Sequence, residues 1–160
     1  MLPKGEAALG LARVVALVVP AGLLAGAYVS QYGFGLYPCE MCWWQRYAHF
    51  AALPFALLAF ALPARRWPLA LATIAIAASA LIGAYHAGVE YHWWQGLTAC
   101  TSTADLSSGD ALDAILNAPM IRCDQAQWAL FGISLAGYNF LISGAGAVLA
   151  ALLLSRSRKA

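Results

Sequence analysis

Charge is what this chain most lacks. Aspartate, glutamate, lysine and arginine make up 10% of its 160 residues, against about 25% in an average soluble domain. So few charges cannot clothe a water-facing surface, which excludes a soluble globular domain and points to the membrane. A hydrophobic content of 62% and a mean hydropathy of +0.70 agree. The net charge is only +2, and the basic residues stand at segment ends rather than in one patch, which excludes a nucleic-acid partner. No GxGxxG or other nucleotide fingerprint is present, so a flavin or nicotinamide domain is excluded as well. A second CxxC is also missing, and with it the usual other half of a four-cysteine zinc site, so no metal is expected. No long-period repeat is visible, and little chain is left over for a separate soluble domain.

What the chain has is long apolar runs. LARVVALVVPAGLLAGAYVSQ, residues 11–31, matches the length of about 20 residues needed to cross a bilayer, and it reads as a retained span rather than a cleaved signal peptide. Further spans are expected at about 42–62, 68–88 and 128–154. The fold class is therefore all-α: one integral membrane domain, residues 1–160, built as a four-helix transmembrane bundle with a short outer loop and a longer one at about 89–127. Pro20 and Pro54 fall inside spans, which a packed bundle tolerates. Gly22 and Gly26 form a GxxxG that predicts close helix packing. In the long loop, Ser108 as a cap, Leu112, Ile115 and Leu116 at helical spacing and Pro119 as a stop predict a short amphipathic helix.

Lys4, Arg13, Arg65, Arg66, Arg156, Arg158 and Lys159 all fall on one side of this topology. The positive-inside rule puts that side, with both termini, in the cytoplasm, and turns Cys39, Cys42, Cys100 and Cys123 outward. In a bacterium that is the periplasmic face of the inner membrane, where disulfides persist.

The stretch PCEMCWWQR, residues 38–46, carries the chemistry. Pro38 suits a first helical position, so Cys39 and Cys42 are expected on the opening turn of the second span, where the helix dipole favours a thiolate. Arg46 follows Cys42 by four residues on the same face, and a cation at that depth marks a site. Cys100 and Cys123 form a second pair in the acidic outer loop. Two pairs at two depths suggest a relay, and a relay needs an electron sink that is small and lipid-soluble, which describes a quinone, ubiquinone or menaquinone. Arg46 could then stabilise both the thiolate and a quinone oxygen. His86, near the outer end of the third span, could touch the acceptor, whereas His49 reads as a structural histidine between helices. Axial haem ligation by these two would leave the cysteine pairs unexplained. A scaffold with two structural disulfides is the non-enzymatic alternative.

CxxCxxxR, completed as CEMCWWQR, the longer loop with Cys100 and Cys123, and RCDQAQWALFGISLAGYN at the entry to the fourth span together resemble the disulfide bond formation protein B family, DsbB. The resemblance covers nearly the whole chain. It implies a membrane thiol:quinone oxidoreductase that reoxidises a periplasmic thioredoxin-fold dithiol oxidase, DsbA, a partnership known in general terms. Cys39 and Cys42 correspond to the membrane-proximal pair, Cys100 and Cys123 to the partner-facing pair, and Arg46 to the quinone-site arginine. His86 and Glu90 stand where the family places residues near the quinone. The interval between Cys100 and Cys123 is shorter than in the best-known members. A vitamin K epoxide reductase-like enzyme shares the chemistry, but carries its CxxC at the end of a late span.

Overall fold

The computed structural model describes residues 3–97, 101–102 and 120–157. Cys100 and the amphipathic helix predicted from Ser108 to Pro119 lie outside the described residues. Four long helices make up the body: α1 (Gly5–Phe34), α2 (Glu40–Ala61), α3 (Trp67–Glu90) and α4 (Leu135–Arg156). They pack in the ring α1–α2–α3–α4, each against the next and α4 back against α1.

The distribution of side chains is that of a bundle in lipid. Its centre is small: Ala8, Ala12, Ala16, Ala52, Ala56 and Ala72 are fully buried. Larger apolar residues such as Val18, Leu57, Ile74 and Val148 point outward. Without water to drive association, helices in a bilayer cohere by close approach, and small residues at the interface permit it. α1, α3 and α4 are long and apolar enough to cross a membrane. α2 is 22 residues long but carries Gln45, Arg46 and His49, all buried within the bundle, where their polar groups can be satisfied. Pro20 and Pro54 lie inside α1 and α2 without ending either helix.

Arg13 Nη2 donates to the Pro63 carbonyl at 2.7 Å and Arg66 Nη2 to that of Ser157 at 2.8 Å, which gathers the start of α1, the α2–α3 turn and the end of α4 at one end of the bundle. The cysteines lie at the other. There α3 closes in a Schellman turn: Trp93 N donates to Gly88 O, His92 N to Val89 O, and His92 takes the left-handed conformation at φ 59°. The turn folds Trp94 back on its own helix, where its ring stacks on Tyr85 and covers Gly88 so closely that no Cβ would fit.

Two small ladders complete the cysteine end. β1 (Thr101–Ser102) pairs antiparallel with β2 (Met120–Ile121), setting Thr101 opposite Ile121. β3 (Ala129–Leu130) and β4 (Ile133–Ser134) form a hairpin whose two turn residues, Phe131 and Gly132, have φ of 51° and 77°. Those signs are those of a type I′ turn. The fourth helix accordingly begins at Leu135 and not near 128. Ser134 caps it, its Oγ accepting from Gly137 N at 3.1 Å.

Candidate functional site

Cys39 is not on the opening turn of α2 but immediately before it, as the N-cap, with extended backbone and Pro38 one residue further out. The reason lies in its own side chain. Sγ of Cys39 accepts from Cys42 N at 3.4 Å, doing with sulfur what serine does with oxygen. Cys39 Sγ and Cys42 Sγ stand 3.3 Å apart, within a small movement of the roughly 2.05 Å of a disulfide. The N-cap position sets the pair against the free backbone N–H groups of the first turn of α2.

Cys39 is buried and packs with Met41, Val89, Ile121 and Cys123. Cys39 Sγ, Cys123 Sγ and a ring nitrogen of His86 all lie within 4.8 Å of one another. The long loop's second cysteine is thus packed against the Cys39–Cys42 pair. Arg122, next to it, is tied by Nε and Nη2 to both carboxylate oxygens of Asp124 at 2.8 and 2.5 Å. That hydrogen-bonded guanidinium holds the Asp124 carboxyl below the usual carboxylate range.

On the other side of Cys42, between α1, α2 and α4, opens a cavity of about 400 Å³. Such a volume suits a small cyclic ligand. Its wall is apolar apart from a few groups, chiefly Cys42, Gln45, Arg46, His49 and Asn139. Gly22 and Gly26 form part of the α1 wall. A Cβ at either would meet nothing within 4 Å, so the GxxxG does not seat a neighbouring helix as its spacing predicted. Both glycines are exposed, and they leave the cavity open to the outside of the bundle. The close approaches occur elsewhere: Gly83 against the α4 backbone at Ala136 and Phe140, and Gly146 against Val19.

Arg46 is buried and does not snorkel. Nη1 donates to Gln31 Oε1 at 2.6 Å, Nη2 to the Ala27 carbonyl at 3.2 Å, and the guanidinium lies 5.0 Å from the rings of both Tyr28 and Trp43. All four partners are neutral. The positive charge is therefore held in place without being cancelled, at the cavity wall one turn from Cys42.

His86 is not among the residues lining the cavity. Its Nε2 lies 3.5 Å from Cys39 Sγ and 3.7 Å from Glu90 Oε1, and Glu90 Oε2 accepts from Ser134 Oγ. The cavity's imidazole is that of His49, which bonds between helices as expected, its Nε2 lying 2.9 Å from both Asn139 Oδ1 and Ser79 Oγ. Gln45, Asn139, Ser79 and Ser143 escaped the sequence reading. Their signal was there: Gln45 with His49, and Asn139 with Ser143, are polar pairs at i, i+4 in apolar helices, which puts each pair on one face.

A helical membrane bundle with a dithiol at a helix mouth, a third cysteine packed against it and an apolar, arginine-bearing cavity beside it defines a class: membrane proteins of thiol–disulfide exchange. Residues 10–153 match the family described as disulfide bond formation protein DsbB, and the chain belongs to that family. Over 152 residues it is 33% identical to Disulfide bond formation protein B of Aromatoleum aromaticum, covering 88% of this chain and 89% of that one. It is 25% identical over 136 residues to Uncharacterized protein RP370 of Rickettsia prowazekii, covering 82% and 79% respectively. No solved structure matches.

Proposed function

We propose that this protein is a thiol:quinone oxidoreductase that reoxidises a DsbA-like, thioredoxin-fold dithiol oxidase and delivers the electrons to a membrane quinone. It would lie in a bacterial inner membrane with both termini cytoplasmic and its cysteines periplasmic. The observation that carries this reading is the position of Cys42, with Cys39 and Cys123 on one side and an apolar, arginine-bearing cavity on the other.

The cavity fits a quinone head in size, in its apolar lining and in its opening sideways along Gly22 and Gly26. A quinone bound there supplies a sink for two electrons and two protons. The chain's own residues do the rest. A reduced partner thiolate attacks Cys100, forming a partner–Cys100 mixed disulfide, breaking the Cys100–Cys123 bond and leaving its electron pair on Cys123. The Cys123 thiolate attacks Cys39, forming a Cys39–Cys123 bond and releasing Cys42 as a thiolate beside the cavity. The partner's second thiolate attacks the partner sulfur bonded to Cys100, which releases the oxidised partner and leaves Cys100 as a thiolate; that thiolate attacks Cys123, re-forming the loop disulfide and freeing Cys39. Arg46 holds a fixed charge toward the oxygen that gains electron density, and the apolar wall keeps water from competing.

Two variants test the order of events. With reduced DsbA-like protein as donor, Cys42→Ser abolishes quinone reduction. Cys100→Ser abolishes oxidation of the protein donor while quinone reduction driven by a small dithiol persists. Quinone reduction by Cys42→Ser at the unmodified rate would refute the assignment.

A further inference from the structure

Cys39, His86, Gln45, Asn139 and His49 are joined by one buried hydrogen-bond chain, and two backbone carbonyls fix its direction. Gln45 Nε2 donates to the Met41 carbonyl at 3.1 Å. Asn139 Nδ2 donates to the Ser79 carbonyl at 3.2 Å. A carbonyl can only accept, so each contact independently sets which end of its amide is nitrogen. The two settings agree where the amides meet: Asn139 Nδ2 donates to Gln45 Oε1 at 2.7 Å. Flipping either amide alone would set nitrogen against nitrogen or oxygen against oxygen there, and oxygen against a carbonyl at the anchor.

The remaining contacts then have only one solution. Gln45 Nε2 spends its second hydrogen on His86 Nδ1, 3.0 Å away, so Nδ1 must be the bare nitrogen and a neutral His86 must carry its proton on Nε2. That proton faces Cys39 Sγ and Glu90. On the other arm, Asn139 Oδ1 accepts from His49 Nε2, and Ser79 Oγ, having donated to the Gln45 carbonyl at 3.1 Å, also accepts from it. His49 is therefore protonated on Nε2 as well, and its Nδ1, buried and without a partner among the described residues, keeps a free lone pair.

We infer that the Gln45–Asn139 amide pair is a positioning device that fixes the tautomers of both histidines, so that a neutral His86 presents an N–H to the sulfur of Cys39 and a neutral His49 presents a bare Nδ1. The consequence for catalysis rests on the exchange role proposed above. When Cys39 leaves the Cys39–Cys123 bond as a thiolate, the electron pair of that bond stays on its sulfur and the His86 N–H stabilises it; His86 donates a hydrogen bond and takes no proton from Cys39. The same tautomer withholds the Nε2 lone pair from a metal ion, although Cys39, Cys123 and His86 would otherwise make a two-sulfur, one-nitrogen set of the kind that holds zinc.

Nitrogen-15 NMR of the whole protein in micelles, labelled only at histidine and near neutral pH, reads the tautomers directly, because a bare ring nitrogen resonates far downfield of a protonated one. Signals are assigned by their loss in the single variants H49Q, H86Q and H92Q. The expected result is a bare Nδ1 and a protonated Nε2 at both His49 and His86. A proton on Nδ1 of neutral His86 overturns the inference, whether or not the protein reduces quinones. In Gln45→Glu, whose carboxylate can accept but not donate, Nδ1 of His86 gains a proton and the downfield signal is lost. Retention of the bare Nδ1 in that variant would show that Gln45 does not set it, and would equally overturn the inference.

Discussion

Replacing Arg46 by methionine keeps an unbranched side chain at the cavity wall while removing the charge and both donors. Among the described residues that charge is paired with no carboxylate, being held by Gln31, the Ala27 carbonyl and the faces of Tyr28 and Trp43. If its work is to meet charge that develops on a quinone oxygen, its loss resembles the loss of one oxyanion-hole donor, about 10²- to 10³-fold in kcat, or roughly 3–4 kcal/mol. Arg46→Lys should recover only part, since an ammonium cannot reach Gln31 and Ala27 together and stacks poorly between two rings. The assay is steady-state reduction of a short-chain quinone in micelles, with a reduced thioredoxin-fold dithiol protein as donor and thermal unfolding of each variant as the check on folding. A rise in KM with kcat unchanged would refute the reasoning, because it would mean that Arg46 binds the quinone equally well before and during the reaction.

Gly26→Leu grows into the edge of the cavity from a position where the Cβ itself meets no neighbour, so it should raise KM for quinone severalfold while helix stability holds or gains up to about 1 kcal/mol. Gly83→Ala should lower stability by about 1–3 kcal/mol, because its Cβ would meet Asn139 Nδ2 at 2.9 Å and α4 backbone at 3.1 Å; thermal unfolding in detergent reads the loss. Ser134→Ala removes both the α4 cap and the hydroxyl that donates to Glu90, and should cost about 0.5–2 kcal/mol in the same assay.

Where apolar runs were long and cleanly bounded, the helices were legible from sequence, as was the delivery of a CxxC and an arginine to one helix mouth. Three readings failed for local reasons. WALFGIS looks like the start of a span, yet Phe131 and Gly132 adopt left-handed conformations that turn the chain into a hairpin first. Pro38 suggested a helix start that the sulfur of Cys39 claims one residue later, as a cap. The spacing of Gly22 and Gly26 matches a packing motif, but spacing does not reveal what lies opposite a glycine, and here it is open space. The amide pair was the least legible part of the site. Gln45 and Asn139 are 94 residues apart, and only the closing of the helices into one bundle shows that a hydrogen bond joins them across its centre.

In the function proposed above, Cys39 and Cys42 sit at the boundary between protein disulfide exchange and a lipid-borne oxidant. Mass mapping of thiols trapped by rapid alkylation, on purified protein reduced under anaerobic conditions and then given quinone alone, tests it most directly. The account predicts that Cys39 and Cys42 become bonded in step with the quinone consumed, one disulfide per quinone, and that Cys42→Ser consumes none. Cysteines that stay bonded alike with and without quinone would contradict it, and would leave a membrane scaffold held by two static disulfides.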